Sequence, residues 1–200
     1  MSSNLRTLQN KLEELKSNTT IDEHSRINLQ GIFMILTPRY FIVNLQKEIE
    51  NAIGIERAAD VMYKAAFESA YRYCEESANN LESGGIEIIG KYPESLSMRG
   101  WGSFEILRLD EFEDENRIRL RNSAFGEEYG KIGRTVCYCW SGALAGSIQW
   151  DLDAKRIPKR VTGNEVTCIS KNDKYCEFVI RSKKTSGHTA VQCGPSKMKE

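Results

Sequence analysis

The chain has 200 residues, enough for one domain or two small ones. Its 40% hydrophobic and 28% charged residues exclude a disordered chain and supply a real core. The 28 Lys and Arg balance the 28 Asp and Glu, so no net field draws the chain to nucleic acid or to anionic lipid.

The first residues form no apolar signal region. Leu5, Leu8, Leu12 and Leu15 step by three, four and three along a charged helix. A seam this short is marginal alone, so the helix docks on its own domain or pairs with a second copy. Asn18-Thr19-Thr20 ends it, and 30–36 reads as a short strand. The longest apolar run, 31–36, is far below the roughly 20 residues of a membrane helix, so a cytoplasmic protein without membrane contact is expected. Thr37-Pro38 opens a helix, Thr37 as its cap. Phe41, Leu45, Ile49 and Ile53 make one apolar stripe at four-residue spacing, and Gly54 stops the helix. A second helix runs over 56–79, with a small-residue face (Ala58, Ala59, Ala66, Ala70) and an aromatic side (Tyr63, Phe67, Tyr71). Gly84-Gly85 breaks the pattern.

After Pro93 the period changes. Residues 103–109 and 117–120 read as a hairpin around an acidic turn, and the alternation Arg117, Ile118, Arg119, Leu120 fits a sheet wet on one face. Residues 122–126 read as a loop, and 134–150 as a third helix with Gly142 and Gly146 at helical spacing. Residues 160–170 and 175–181 read as a second hairpin turning at Lys171-Asn172-Asp173-Lys174. The chain from Lys183 reads as a disordered tail. Helix pair, hairpin, helix, hairpin predicts an α+β fold: helices packed on one face of an antiparallel sheet, behind an N-terminal helical extension.

Six cysteines are too few for a disulfide scaffold. Four of them, Cys137, Cys139, Cys168 and Cys176, fall within 40 residues, which in a reducing compartment points to metal or redox chemistry. Across a turn centred on Asn172, Cys168 and Cys176 become cross-strand neighbours, Cβ atoms about 5 Å apart. That separation suits two thiolates on one zinc better than a disulfide, without excluding either. Glu165 would face the other way on a regular strand, so it joins them only through a bulge or bend. Cys137 or Cys139, at the start of the third helix, supplies a fourth ligand. The same spacing also fits small buried hydrophobes or a redox pair.

The motifs Asn122-Ser123, Cys137, Gly142/Gly146 and Glu165-x-x-Cys168-x7-Cys176-x-Phe178, with Gly100-Trp101-Gly102-Ser103-Phe104-Glu105 upstream, resemble the 4-vinyl-reductase domain family over roughly residues 30–182. The resemblance implies a fold shared with TRAPP trafficking subunits and with the sensor domains of phenol- and xylene-responsive activators. It also implies a zinc held by Cys137, Glu165, Cys168 and Cys176 beside an aromatic-ligand pocket. It divides the chain into an N-terminal helical extension (1–29), a ligand-binding domain (30–182) and a tail (183–200). Cys139, and the Lys171-Asn172-Asp173 turn where the family has a glycine, depart from its pattern; Asn tolerates the left-handed conformation that turn needs.

His24 and His188 match no nucleophile pattern, which argues against a His-based triad. Gly100-Trp101-Gly102 lacks the spacing of a phosphate loop, and the acidic turn lacks that of a calcium loop. Phe41, Phe67, Tyr71, Trp101, Phe104 and Trp140 frame either plain core or an apolar ligand pocket, and only the resemblance favours the pocket. The expected function is a small-molecule sensor for a hydrophobic or aromatic ligand. Its zinc is structural, and it signals to a partner protein or to a second copy in a homodimer. The alternatives are a tetrapyrrole vinyl reductase or its accessory, against which stands the missing dinucleotide fingerprint, and a TRAPP-like structural adaptor.

Overall fold

The computed structural model describes residues 10, 12–110 and 113–184. Leu5, Leu8, His188, Cys193 and the tail beyond Lys184 lie outside the described residues. Leu12 and Leu15 lie in helix, residues 12–17, and Leu12 is exposed.

Next comes a small antiparallel meander, β1 (Thr19–Ile21), β2 (Ile27–Leu29) and β3 (Ile32–Met34). It straddles residue 30, where the sequence divides extension from domain. The Asp22 carboxylate makes the first turn by accepting the amides of His24 (2.9 Å) and Arg26 (3.0 Å). Three-residue strands are too short to show a period of two, so only the third was legible.

Helix α1 (Arg39–Ile53) begins after Pro38 without a side-chain cap, so Thr37 does not serve as one. It is not turned as its apolar stripe suggests: of the four stripe residues Ile49 alone is half-buried. Its buried residues are Val43, Gln46 and Glu50, while Phe41, Leu45 and Ile53 face outward. Gly54 joins it to α2 (Ile55–Leu81). Helix α3 (Ile86–Met98) has no counterpart in the sequence reading. Two glycines before it, and Gly90 and Pro93 within it, read as breakers. Its apolar side is nevertheless helical: Ile88, Ile89, Tyr92 and Leu96 are buried at i, i+1, i+4 and i+8.

The main sheet comprises β4 (Ser103–Arg108), β5 (Glu115–Arg121), β6 (Lys159–Thr167) and β7 (Cys176–Lys184), in the antiparallel order β4-β5-β7-β6. Between β5 and β6 run a short helix α4 (Ala124–Tyr129), where a loop was expected, and the central helix α5 (Tyr138–Ala154). The expected alternation holds: Ile118, Leu120, Phe178 and Ile180 point into the core. On the wet face Arg117 and Arg119 share Glu177, at 3.1 and 3.3 Å.

Helix α5 is buried from Trp140 to Leu152, between the sheet and α2. Gly142 and Gly146 allow that approach. A Cβ on either would lie 2.1 Å from Tyr63 O or 2.2 Å from Phe67 O, inside the α2 backbone. At the edge of the sheet, Gln149 acts toward β6 as a neighbouring peptide would. Its Oε1 accepts from Val161 N at 2.9 Å and its Nε2 donates to Lys159 O at 3.1 Å. Tyr63 Oη accepts from Gly163 N at 3.0 Å. No described helix is long and apolar enough to cross a membrane.

Candidate functional site

Three pieces of chain converge at the start of α5. Cys137 is the residue on which the helix opens. In β6 the register slips between Glu165 and Thr167, and this bulge supplies the bend that Glu165 needed to turn inward. Beyond it, Cys168 leads through a single 3-10 turn (Ile169–Lys171) to Asn172, left-handed at φ 76°, and back to Cys176. The Asp173 carboxylate fixes the turn by accepting the Cys168 amide at 2.8 Å.

The ligand atoms of Cys137, Glu165, Cys168 and Cys176 all lie within 4.8 Å of one another, close enough to hold a metal ion. The three cysteines are fully buried. Cys137 Sγ is 3.8 Å from Cys176 Sγ, which is 3.7 Å from Cys168 Sγ. The Cys137 amide donates to Glu165 Oε2 at 2.9 Å, while the buried Glu165 Oε1 has no hydrogen-bond partner. Burial first, and then hydrogen bonds to Cys168 and Cys176, push the Cys137 thiol well above its usual value. Burial and the neighbouring Cys168 push the Glu165 carboxyl up to about 8. Bonds from Cys137 and Cys176 hold Cys168 well below the ordinary thiol range. Four potential anions thus share one buried space, and one carboxylate oxygen has no hydrogen-bond partner. That is the chemistry of a cation site.

Cys139 lies two residues along α5, outside this group, with its thiol pushed up to about 12 by burial. Two positions along a helix differ by about 200°, so one of the two cysteines had to face elsewhere.

Sequence reasoning missed the supports around the four. Ser123 Oγ, which accepts the Gly126 amide at the start of α4, lies 3.2 Å from Cys137 Sγ. Ser170 Oγ lies 3.2 Å from Cys168 Sγ and donates to Arg134 O at 2.6 Å. The Arg134 guanidinium in turn grips Glu50 of α1 through both carboxylate oxygens, at 3.2 and 2.6 Å. Asn122-Ser123, read from the sequence as a loop within the family's motif, was the one visible signal. Ser170 and Arg134 carry none, because their partners are distant in sequence.

Of the six aromatic candidates, the structure brings three together. Trp101 and Phe104 meet Trp140 edge-on at 5.2 and 5.6 Å, and Phe125, not anticipated, joins at 5.8 Å. Trp140 is 5% exposed, and its indole Nε1 is buried without an acceptor. Phe67 stacks instead on Tyr63 in α2, and Tyr71 turns towards Asp153. Phe41, 56% exposed on the outer side of α1, is not part of the cluster. A cleft of about 220 Å³ lined by Gly90, Pro93, Ser97 and Ile106 reaches Phe104. A wider one of about 690 Å³ lies away from the aromatics, at the α1–α2 turn, lined by Glu50, Gly54, Arg57 and Arg134.

Comparison with known proteins adds the following. A domain of unknown function, DUF5943, matches residues 16–107 and so ends before Cys137. The uncharacterized protein MJ0150 of Methanocaldococcus jannaschii is 24% identical over 94 residues, which are 47% of this chain; the chain spans about half the length of that curated relative, 50%. The crystal structure of the phenol-responsive sensory domain of the transcription activator PoxR, with phenol, superposes with a TM-score of 0.71 at 19% identity, covering 90% of this chain and 91% of that one. A trafficking protein particle complex subunit 3 from Naegleria fowleri, covalently bound to palmitic acid, gives 0.52 at 9% identity over 73% of this chain and 95% of that one. A vinyl-4-reductase family protein from Methanocaldococcus jannaschii gives 0.46 at 15% identity over 72% and 78%. The resemblance read from the sequence therefore holds at the level of architecture: the chain has the α+β fold of the phenol-responsive sensory domain and of the trafficking subunit.

Proposed function

We propose that the chain is a sensor module that binds a small aromatic or hydrophobic molecule at the Trp101–Phe104–Trp140 cluster. A zinc ion would tie β6 and β7 to α5, and the bound state would pass to a partner protein or a second copy. One observation carries the reading. Trp140, whose buried N–H lacks an acceptor among three aromatic rings, stands three residues from Cys137 on the same helix. A buried donor without a partner costs about 1–3 kcal/mol, which a ligand oxygen would recover. Three thiolates and a carboxylate suit zinc, and four protein ligands leave no position open for substrate, so the metal's part is structural. The likeness to a phenol-binding domain supports the class of ligand; residues 30–182 would form the binding unit.

The test is metal analysis of the full chain by mass spectrometry, followed by a phenol titration read by tryptophan fluorescence. About one zinc per chain is expected, with saturable quenching by phenol that weakens about tenfold in Trp140→Phe while zinc content is unchanged. Zinc without a phenol response would leave the metal and remove the ligand reading. No metal, with Cys137, Cys168 and Cys176 all free, would remove the zinc.

A further inference from the structure

The three cysteines of the site are backed by hydrogen-bonding groups whose protons can be counted. A sulfur bound to a metal has no proton to give, so it only accepts. Cys137 has a donor ready. Ser123 Oγ, buried, accepts the Gly126 amide at 3.3 Å and keeps its own proton for Cys137 Sγ at 3.2 Å. Cys176 receives the Ile169 amide. Cys168 differs. Beyond the other candidate ligands, the group beside its sulfur is the buried Ser170 Oγ, 3.2 Å away, and that hydroxyl already donates to Arg134 O at 2.6 Å. In this arrangement Cys168 can only donate to Ser170, which a metal-bound sulfur cannot do. One hydroxyl proton then faces two acceptors and can serve one of them.

Magnitude decides between the two. A hydrogen bond to an ionised acceptor is roughly twice as strong as one between neutral groups. The exchange needs only a turn of the hydroxyl about its Cβ–Oγ bond, because the contact with Cys168 Sγ suits donation in either direction. We propose that Ser170 is a positioning residue that carries the state of the metal site to the loop before α5: with metal bound, its hydroxyl turns from Arg134 O to Cys168 Sγ and frees the Arg134 carbonyl. The inference rests on the metal reading above. The loop stays on the turn, since Ile132 N and Gly133 N still donate to Ser170 O, both at 2.9 Å. It pivots at Arg134, whose carbonyl must find a new donor, because an acceptor held away from water without one is costly. The Arg134 guanidinium grips Glu50, and both residues line the wide cleft at the α1–α2 turn. Metal binding at Cys168 is in this way passed to α1 and to that cleft.

The test is HNCO spectroscopy of the isotopically labelled full chain before and after zinc is added, with zinc affinity measured by chelator competition. The Arg134 carbonyl carbon is read through the Thr135 amide. In the wild type, zinc should move it upfield, as loss of a hydrogen bond does. Ser170→Ala should hold the upfield position with and without zinc, and bind zinc at least about tenfold more weakly. Ser123→Ala should weaken zinc binding by a like factor and leave the Arg134 response intact, since its hydroxyl has no link to that carbonyl. A wild-type carbonyl that stays in place while zinc binds would overturn the relay and leave the metal reading standing. An Arg134 response that persists in Ser170→Ala would overturn it too. A wild type that takes up no zinc would overturn both readings. The wild-type measurement needs no substitution, so it decides the matter even where Ser170→Ala does not fold.

Discussion

Cys137 and Cys139 stand two residues apart and do different work. Cys137 faces Glu165, Cys168 and Cys176, whereas Cys139 packs into the core beside Tyr92. If the four-residue set holds the metal, Cys176→Ser should release it and lower Tm by on the order of 10 °C, while Cys139→Ser keeps it. Metal content and calorimetry on the two variants read this out, and equal, small shifts in both would count against the site. Cys168 and Cys176 were legible because a hairpin's register is simple arithmetic; Glu165 needed its bulge, and spacing left Cys137 and Cys139 equivalent. A different burial governs Asp151 of α5, 1% exposed, with one oxygen on Lys155 at 3.0 Å and the other unpartnered. Burial holds its carboxyl above the usual value. A carboxyl raised in the folded state binds its proton more tightly there than in the unfolded chain. Its contribution to stability is therefore full below about pH 4 and is lost as pH rises through the folded value. Urea melts of the wild type and Asp151→Asn should show the wild type losing ground to the variant as the pH rises above about 4. A constant difference would show that Asp151 does not titrate in that range.

At the scale of elements, the contact between α2 and α5 depends on what two residues lack. Gly146→Ala would drive a methyl into Phe67 O, and backbone cannot step aside as a side chain can. The helices must part, at a cost of about 2 kcal/mol or a Tm lowered by about 4–8 °C. Gly84→Ala, with nothing within 4 Å of the new methyl, should change Tm by less than about 1 °C. Scanning calorimetry of the pair checks both. Gly142 and Gly146 were visible in the sequence as a helical repeat, and the hairpins as alternation. Helix α3 was not, because propensity penalises Gly90 and Pro93 locally while the burial of Ile88, Ile89, Tyr92 and Leu96 is decided by the other layers. Helix α1 was legible as a helix and misleading in its orientation. An apolar stripe reports which side avoids water, and it does not report whether the cover comes from the same chain.

For the whole molecule, the metal candidates join three parts: the β6–β7 hairpin, the loop before α5, and through Ser170 and Arg134 the helix α1. Stripping the proposed ion with a chelator should therefore raise amide exchange at least about tenfold in residues 122–137 and 165–176, leaving the α2–α5 contact protected. Exchange mass spectrometry with and without chelator decides this, and uniform loosening would mean that the site does not act as a local tie. The layers themselves followed from the order of periods along the chain, but contacts between α1 and residues 122–136, some 80 positions apart, leave no trace in local pattern. The side-chain bonds that Gln149 and Tyr63 make to β6 have a consequence of another kind. A sheet recruits further strands through its unused amides, and on this side those of Val161 and Gly163 are already taken by helices of the same chain. Growth of the sheet, whether by a captured peptide or by runaway stacking of misfolded copies, is left to β4. There an irregular register at Ile106/Arg108 and the charges of Glu105 and Arg108 make a poor template. The fold thus carries its own guard against aggregation at both ends of its sheet.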